Sequence, residues 1–492
     1  MVEKIKNFFK NKSEINLTDG DTKTLIKKFL IYALPIIIVG ILELLYNSFD
    51  LIVVQQKEGT IAGAAVGANG SLIALITNGF IGLSVGANVV ISRYYGKGDK
   101  NGANRALHSG LLLATICGII VGITCFFLAG TFLKWMDVSE TYIDLSTTYL
   151  SIYFLSVPFM LIYNFGAAAF RGVGDSKKPL LFLAISGVLN IALNYLFVFG
   201  FNLSVMGVAI ATVISQFVSA FLVILFLYIN KGFIRFRFKE IRFHKHELKR
   251  ILQIGIPSGI HGIIFSISNV ILQTTVNSWP PAVVTANTDA ANIENYTYTA
   301  MYSISTATPA FISANVGRGF YKNIKKIEII SLVTVVIVGV VLGCASLAFS
   351  HQLLQIYMGA NYDSEVVKYA IERMTVVLLT YFLCGLMDTQ CDILRGLGYS
   401  FIPTIYSFVS CCVLRIIWNY FVYSPIEGMW NHSLGILYLC YPVSWIIAFL
   451  LEFITFFILR KRVKEKCDKN LIEYNKKHGL DNENNKLTNE NI

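Results

Sequence analysis

Two carboxylates stand in the first long apolar stretch of the sequence, Glu43 near its middle and Asp50 seven residues on. Seven residues is about two helical turns, so the two side chains share one face of a helix. A carboxylate in so apolar a run either binds and releases a proton or Na⁺, or is a structural group capping a neighbouring helix. Further along, Asn190 and Asn194 lie one turn apart and project to one side, with Tyr149 and Asn164 in the stretch before them. Amides and hydroxyls of this kind hold a water, a cation or a protonated carboxyl, or join helices by hydrogen bonds.

The second half has its own polar groups in apolar surroundings. Asp289, Glu294 and Tyr298 fall in a polar stretch, 287–298. A face so polar at membrane depth looks into a cavity or onto a partner helix, so substrate contact and structural pairing both stay open. His261 titrates near neutral pH if it faces water, and is otherwise a packing residue. Asp388 and Asp392 are one turn apart and close to Arg395, which reads as gating or packing ion pairs. Arg415, in mid-span, calls for a carboxylate partner, which Glu372 or one of those aspartates could supply.

The elements that position these residues follow from composition. Of 492 residues 55% are hydrophobic and only 14% charged, against about a quarter charged in a soluble protein. Apolar runs of about twenty residues recur, the length an α-helix needs to cross about 30 Å of hydrocarbon. Twelve spans are expected, over 27–54, 61–92, 106–132, 145–170, 179–201, 205–229, 248–278, 282–316, 327–349, 365–393, 401–423 and 433–459. The chain therefore reads as an all-α integral membrane protein. Membrane β-strands would be half as long and alternating. A polar segment of more than twenty residues precedes the first run, which itself spans, so no cleavable signal is expected and the first helix serves as the signal.

Loop charge supports the count. The N-terminal arm, 93–105, 171–178, 231–250, 318–326 and the tail from Arg460 are basic, while the loops between them carry few cations. That alternation places both termini in the cytoplasm of a multi-pass plasma or inner membrane protein. The net charge of +11 is thus a matter of topology and does not point to nucleic acid. Most of the nine cysteines lie inside apolar stretches, with no ligand-like Cys/His cluster, so no metal is expected. Gly172-Val-Gly174 and Gly396-Leu-Gly398 lack the spacing and the Lys-Ser/Thr of a phosphate loop. Neither a nucleotide, nor another cofactor, nor an enzymatic step is expected; a pump of this kind draws on an ion gradient, H⁺ or Na⁺.

The chain also repeats itself. Pro35 has a counterpart at Pro257, Gly96-Lys-Gly98 at Gly317-Arg-Gly319, and Arg171-Gly-Val-Gly174 at Arg395-Gly-Leu-Gly398, with offsets of 222, 221 and 224 residues. Two six-helix units of like orientation follow, the usual plan of an alternating-access transporter. The expected organisation is a cytoplasmic arm, 1–26; a first lobe, 27–230; a cytoplasmic linker, 231–250; a second lobe, 251–460; and a disordered cytoplasmic tail, 461–492.

Leu34-Pro35 with Asn47-Ser-Phe-Asp50, Gly82-Leu-Ser-Val-Gly86 running to Tyr95-Gly-Lys-Gly98, and above all Phe170-Arg-Gly-Val-Gly-Asp175-Ser-Lys-Lys-Pro179 followed by Leu189-Asn190-Ile-Ala-Leu-Asn194, occur in this order. On these motifs the chain resembles the multidrug and toxic compound extrusion (MATE) family of cation-coupled efflux transporters over residues 20 to 460. The resemblance implies two pseudo-symmetric lobes around a V-shaped cavity and export of cationic or amphipathic drugs or metabolites in exchange for H⁺ or Na⁺. It gives Asp50 the cation-binding role of the first lobe, with Tyr149, Asn164 and Asn190 on matching polar positions. Asn194 departs from the pattern, since many relatives carry Asp there, and Phe265 stands near the place where the Na⁺-coupled branch has Glu; both departures lean toward protons. The implied partners are membrane lipid and a small-molecule substrate, with the protein acting as a monomer. The same superfamily plan serves flippases of lipids or lipid-linked oligosaccharides, whose anionic headgroups call for a basic or polar cavity and which often carry extra helices; the acidic residues here favour a cationic amphipath.

Overall fold

The computed structural model describes residues 14–18, 20–358, 363–423 and 433–479. Among them every regular element is helical: α1 (Thr22–Glu58), α2 (Thr60–Gly67), α3 (Gly70–Gly96), α4 (Lys100–Trp135), α5 (Ile143–Phe154), α6 (Val157–Gly172), α7 (Lys177–Tyr195), α8 (Ser204–Ile229), α9 (Lys245–Val276), α10 (Pro281–Arg318), α11 (Tyr321–Ala348), α12 (Ser350–Met358) and α13 (Ser364–Leu397). The chain continues through α14 (Phe401–Ser407), whose span runs on to Tyr423, and closes with α15 (Leu434–Tyr438) and α16 (Cys440–His478). Aspartates start several of these helices by accepting from backbone N–H groups of the first turn: Asp21 from Thr24, Asp99 from Gly102, Asp363 from Glu365.

Ten of the described helices are long and apolar enough to cross a membrane, and the pair α5 and α6, bent by 45° between them, makes an eleventh span. The twelfth expected span is α10, 38 residues long but polar along much of its length. It needs no apolar surface because most of it is buried, from Ala300 on almost continuously, against other helices of its own unit.

The chain divides into two compact units, Leu30–Ile256 with the segment up to Leu17, and Thr18–Phe29 with Pro257 onward. In the first, Phe154, Phe165, Phe170, Phe182 and Leu227 form the centre of the core. There α4 meets α6 on glycine: a Cβ at Gly118 would lie 2.6 Å from Pro158 Cα, so a larger residue would hold the two helices apart. In the second, α10 packs along α11, α13 and α16, and the turns repeat those of the first. Gly98 (φ 65°) and Gly319 (φ 90°) are left-handed, as are Gly174 (φ 87°) and Gly398 (φ 102°), which is why both members of each repeated pair are glycine.

Two expectations about organisation are corrected. The segment 231–250, expected as a cytoplasmic linker, is packed onto the first unit and is not the boundary: Ile234 and Phe236 are buried in the core of that unit, α9 already begins at Lys245, and the division falls inside α9 at Ile256 and Pro257. Nor is the tail disordered from 461. Helix α16 runs to His478 because Leu459, Val463, Cys467 and Asn470 form a buried stripe at helical spacing. Asn470 Nδ2 donates to Val316 O at 2.7 Å, and the ring of Tyr474 lies 3.3 Å beneath the Arg318 guanidinium. Residues 480–492 lie outside the described ones, as do 1–13 of the N-terminal arm, whose last residues from Thr22 on are part of α1.

Candidate functional site

In the first unit three helices meet at Asp50. Its apolar bed is Val53 and Val54 of α1, Val66 of α2, and Val205 and Val208 of α8, all buried, with Tyr149 among them. Asp50 is itself only 6% exposed. Asn194 of α7 donates its amide to Asp50 Oδ1 at 2.6 Å, and Thr212 of α8 donates its hydroxyl to Oδ2 at 3.3 Å. The second amide hydrogen of Asn194 goes to Asn190 Oδ1 at 3.3 Å, and Asn190 Nδ2 reaches Thr212 Oγ1 at 3.5 Å. The carboxylate is thus held by neutral donors, with no Lys, Arg or His in ion-pair reach among the described residues. Oδ1 of Asn194 is buried without a partner, leaving one more oxygen in the cluster.

Four of the residues expected in the first unit are therefore together: Asp50, Asn190, Asn194 and Tyr149. Two are not. Asn164 spends its amide on the Met160 carbonyl at 2.9 Å one turn back, and Glu43 is exposed on α1 rather than drawn into the cluster. Thr212 was missed, because a lone threonine in an apolar helix usually returns its hydroxyl to the carbonyl four residues back; here the Val208 carbonyl, at 3.1 Å, competes with Asp50 Oδ2 for the one hydroxyl hydrogen.

In the second unit the structure separates the candidates. Tyr298 is the middle of an aromatic array, stacked on Phe265 (5.9 Å), Tyr302 (5.6 Å) and Tyr381 (6.1 Å), with Trp445 beyond Tyr381 at 5.4 Å. Asp289 is partly exposed near the start of α10. Glu294 is instead drawn into a buried ion pair with Arg373, through Nε at 3.1 Å and Nη2 at 2.8 Å. His261 is buried, with Nε2 unpartnered.

Of the expected ion pairs, only Asp392 with Arg395 is present, at 2.7 Å. Asp388 makes none among the described residues, and its Oδ2 is buried without a partner. Arg415 is corrected too: among the described residues no carboxylate meets it. Its donors go to Ser444 Oγ (3.1 Å), Ser268 Oγ (2.9 Å) and Asn269 Oδ1 (3.3 Å), and the guanidinium lies over the Tyr441 ring at 4.7 Å. Hydroxyls, an amide and a π-face seat it, with Nη2 buried and without a hydrogen-bond partner among the described residues, while Glu372 accepts from the Gly435 N–H at 3.1 Å. Arg373 and the fully buried Glu452 of α16, neither oxygen of which is hydrogen-bonded, went unnoticed in the sequence.

Comparison with known proteins agrees with this architecture. The probable multidrug resistance protein YoeA of Bacillus subtilis is 24% identical over 434 residues, 86% of this chain and 91% of its own. An FAD transporter of Shewanella oneidensis is 22% identical over 356 residues, 71% of this chain and 78% of its own. A crystal structure of a MATE transporter in complex with MaL6 superposes with a TM-score of 0.82 at 21% identity, covering 91% of this chain and 98% of that one. The MatE family matches residues 35–196 and 257–421, one block in each half of the repeat. With two thirds of its length matched in this way, on a fold of two six-helix units, the chain belongs to the MatE family of membrane transporters.

Proposed function

We propose that the protein is a secondary active exporter of cationic or amphipathic small molecules, driven by H⁺ entering through Asp50. The observation that carries this reading is a carboxylate in a membrane-spanning bundle with only neutral hydrogen-bond donors around it. A buried carboxylate without a fixed countercharge is costly as an anion. A mobile cation removes the cost, and a proton fits a cluster of amide and hydroxyl groups that offers no second carboxylate.

The cycle follows from this chemistry. Asp50 takes a proton from the outside; Asn194 and Thr212 then face a neutral acid, and α1 is freer to shift against α7 and α8. Substrate leaves to the outside, the protein turns inward, and loss of the proton to the cytoplasm resets it. Asp388 and the aromatic array around Tyr298 offer a bed for a flat cation. The protein works as a monomer in the cell membrane, with both termini cytoplasmic. YoeA, described as a probable multidrug resistance protein, supports a drug as substrate; the FAD transporter makes an anionic solute the natural control.

The test is ethidium efflux from liposomes holding the wild type or Asp50→Asn, first under a pH gradient and then under a Na⁺ gradient. Efflux that needs the pH gradient and is lost in the variant is the expected result. Full efflux by Asp50→Asn would end the assignment, dependence on Na⁺ alone would replace the coupling ion, and movement of a flavin or lipid probe in place of ethidium would replace the substrate.

A further inference from the structure

The basic segment between the repeats is a built feature of the first unit. From Ile234 to Arg237 inward-facing apolar residues alternate with outward-facing arginines: Ile234 and Phe236 are buried, Arg235 and Arg237 exposed. The backbone is pinned to α4 at three points. Arg235 N–H donates to Asn104 Oδ1 at 2.7 Å, Arg237 N–H to His108 Nε2 at 3.0 Å, and His244 N–H to Ser109 Oγ at 3.0 Å. His108 is fixed in turn, with Nδ1 at 2.7 Å from the Asn104 carbonyl and its ring stacked on Phe236 at 5.4 Å. Because Nε2 accepts from a backbone N–H, Nδ1 carries the hydrogen.

Between this strap and the start of α4 lies a pocket of about 460 Å³, lined by Asn104, Arg105, Arg235, Arg237, Lys239 and Arg242 among others. Two of its cations are matched: Arg105 pairs with Glu247 at 2.8 Å and Arg237 with Glu240 at 3.0 Å. Among the described residues Arg235, Lys239 and Arg242 have no carboxylate partner, so three positive charges converge on a pocket whose backbone is already fixed. The His244 imidazole feels that field: burial and the neighbouring Arg242 hold it below its usual range.

The geometry points to a binding site for the phosphate of an anionic lipid headgroup. Arginines present paired N–H donors that match phosphate oxygens. The lipid, as opposed to a soluble phosphate, is argued by the rim: Phe238 is 66% exposed, Ile241 41% and Phe243 42%, apolar side chains set among basic ones as at a membrane interface. Basic loop charge places this segment on the side where anionic lipid attracts cations. The inference is independent of which solute is exported.

Thermal unfolding of the full chain in neutral detergent tests it, with dioctanoyl phosphatidylglycerol, dioctanoyl phosphatidylcholine and glycerol 3-phosphate as probes. Phosphatidylglycerol is expected to stabilise the wild type, phosphatidylcholine to leave it unchanged, and added salt to weaken the effect. The variant Arg235→Gln/Lys239→Gln/Arg242→Gln should bind phosphatidylglycerol at least about tenfold more weakly, while Arg235→Lys/Arg242→Lys, which keeps the charge, retains most of it. Equal stabilisation by both lipids, or undiminished binding by the glutamine variant, overturns the proposal. Glycerol 3-phosphate binding as tightly as the lipid overturns the lipid assignment. If the glutamine variant does not fold, the wild type's salt response and its discrimination between the two lipids decide.

Discussion

Asn194 hands one amide hydrogen to Asp50 Oδ1 at 2.6 Å, and the packing of α1 on α7 lies behind that distance. One turn earlier on α1 and about two turns earlier on α7, Tyr46 lies over Gly187, so closely that a Cβ there would meet the ring at 1.8 Å. The two contacts advance in the same direction along both helices. The first and fifth spans are therefore parallel, as two odd-numbered spans must be. Helix α1 is keyed to α7 by one steric fit and one hydrogen bond, and the second of these involves the group proposed to carry the coupling ion.

That key makes Asn194 informative in two directions. Asn194→Leu removes the stronger donor and leaves a buried carboxylate with Thr212 alone. A hydrogen bond to a charged group is worth about 1.5–3 kcal/mol, so lower thermal stability and a loss of most gradient-driven efflux are expected. Asn194→Asp sets a second carboxylate against the first, and two such groups cannot both stay bare. Na⁺ should then stabilise this variant against unfolding more than it stabilises the wild type. Equal responses to Na⁺ and to a bulky organic cation would show that the cluster does not take a metal ion even when supplied with charge.

Thr212 bridges Asp50, Asn190 and its own helix. Thr212→Val keeps the shape and removes the donor to Oδ2 and the acceptor for Asn190. A cost of about 1 kcal/mol and a severalfold fall in ethidium efflux are expected, with Thr212→Ser close to the wild type. Unchanged efflux by the valine variant would remove Thr212 from the coupling cluster and leave it a packing residue.

How much of this was legible in the sequence depends on whether the signal was local. Asp50 declares itself by charge in an apolar run, and Asn190 with Asn194 by a spacing of one turn, so the half of the cluster that is local was readable. Thr212 was not, because its partner is 162 residues away and hydroxyls in membrane helices are commonplace. The same holds for Arg373, whose partner Glu294 was singled out while the arginine was passed over. Arg415 shows the converse error: an arginine in mid-span calls for a carboxylate, whereas serine hydroxyls, an asparagine and an aromatic face surround it. The helical tail was readable in principle, since Leu459, Val463 and Cys467 keep a four-residue spacing. Abundant Lys, Glu and Asn masked that stripe, and its partner surface at Val316 and Arg318 lies far back in the chain.

The steric half of the key has its own test. Gly187→Ala places a methyl group inside the Tyr46 ring as it now stands, so α1 must withdraw or the ring must turn. Overpacking of this kind costs about 1–3 kcal/mol. Here it also lengthens the Asn194 to Asp50 bond, so efflux should fall further than stability alone explains. Tyr46→Leu in the same chain makes room for the methyl group and should restore both. Full activity of Gly187→Ala by itself would mean that α1 moves away from α7 at no functional cost.

The buried pair in the second unit separates structural charge from functional charge. Arg373 gives two donors to Glu294 and a third to Asn287, and its guanidinium lies 5.3 Å from the Tyr438 ring. Each ion is nearly inaccessible, at 8% and 3% of side-chain surface. Removing one partner strands the other charge in a low-dielectric interior, which costs about 3–5 kcal/mol, whereas replacing both by apolar groups of similar volume is often close to neutral. Arg373→Met and Glu294→Met should therefore each lower the unfolding temperature sharply, and the double variant should recover most of the loss. If Glu294 were a substrate group, the double variant would be stable yet unable to export. Efflux by that stable double variant at near wild-type rates is expected, and it would make the Glu294 to Arg373 pair structural and remove Glu294 from the groups that transport requires.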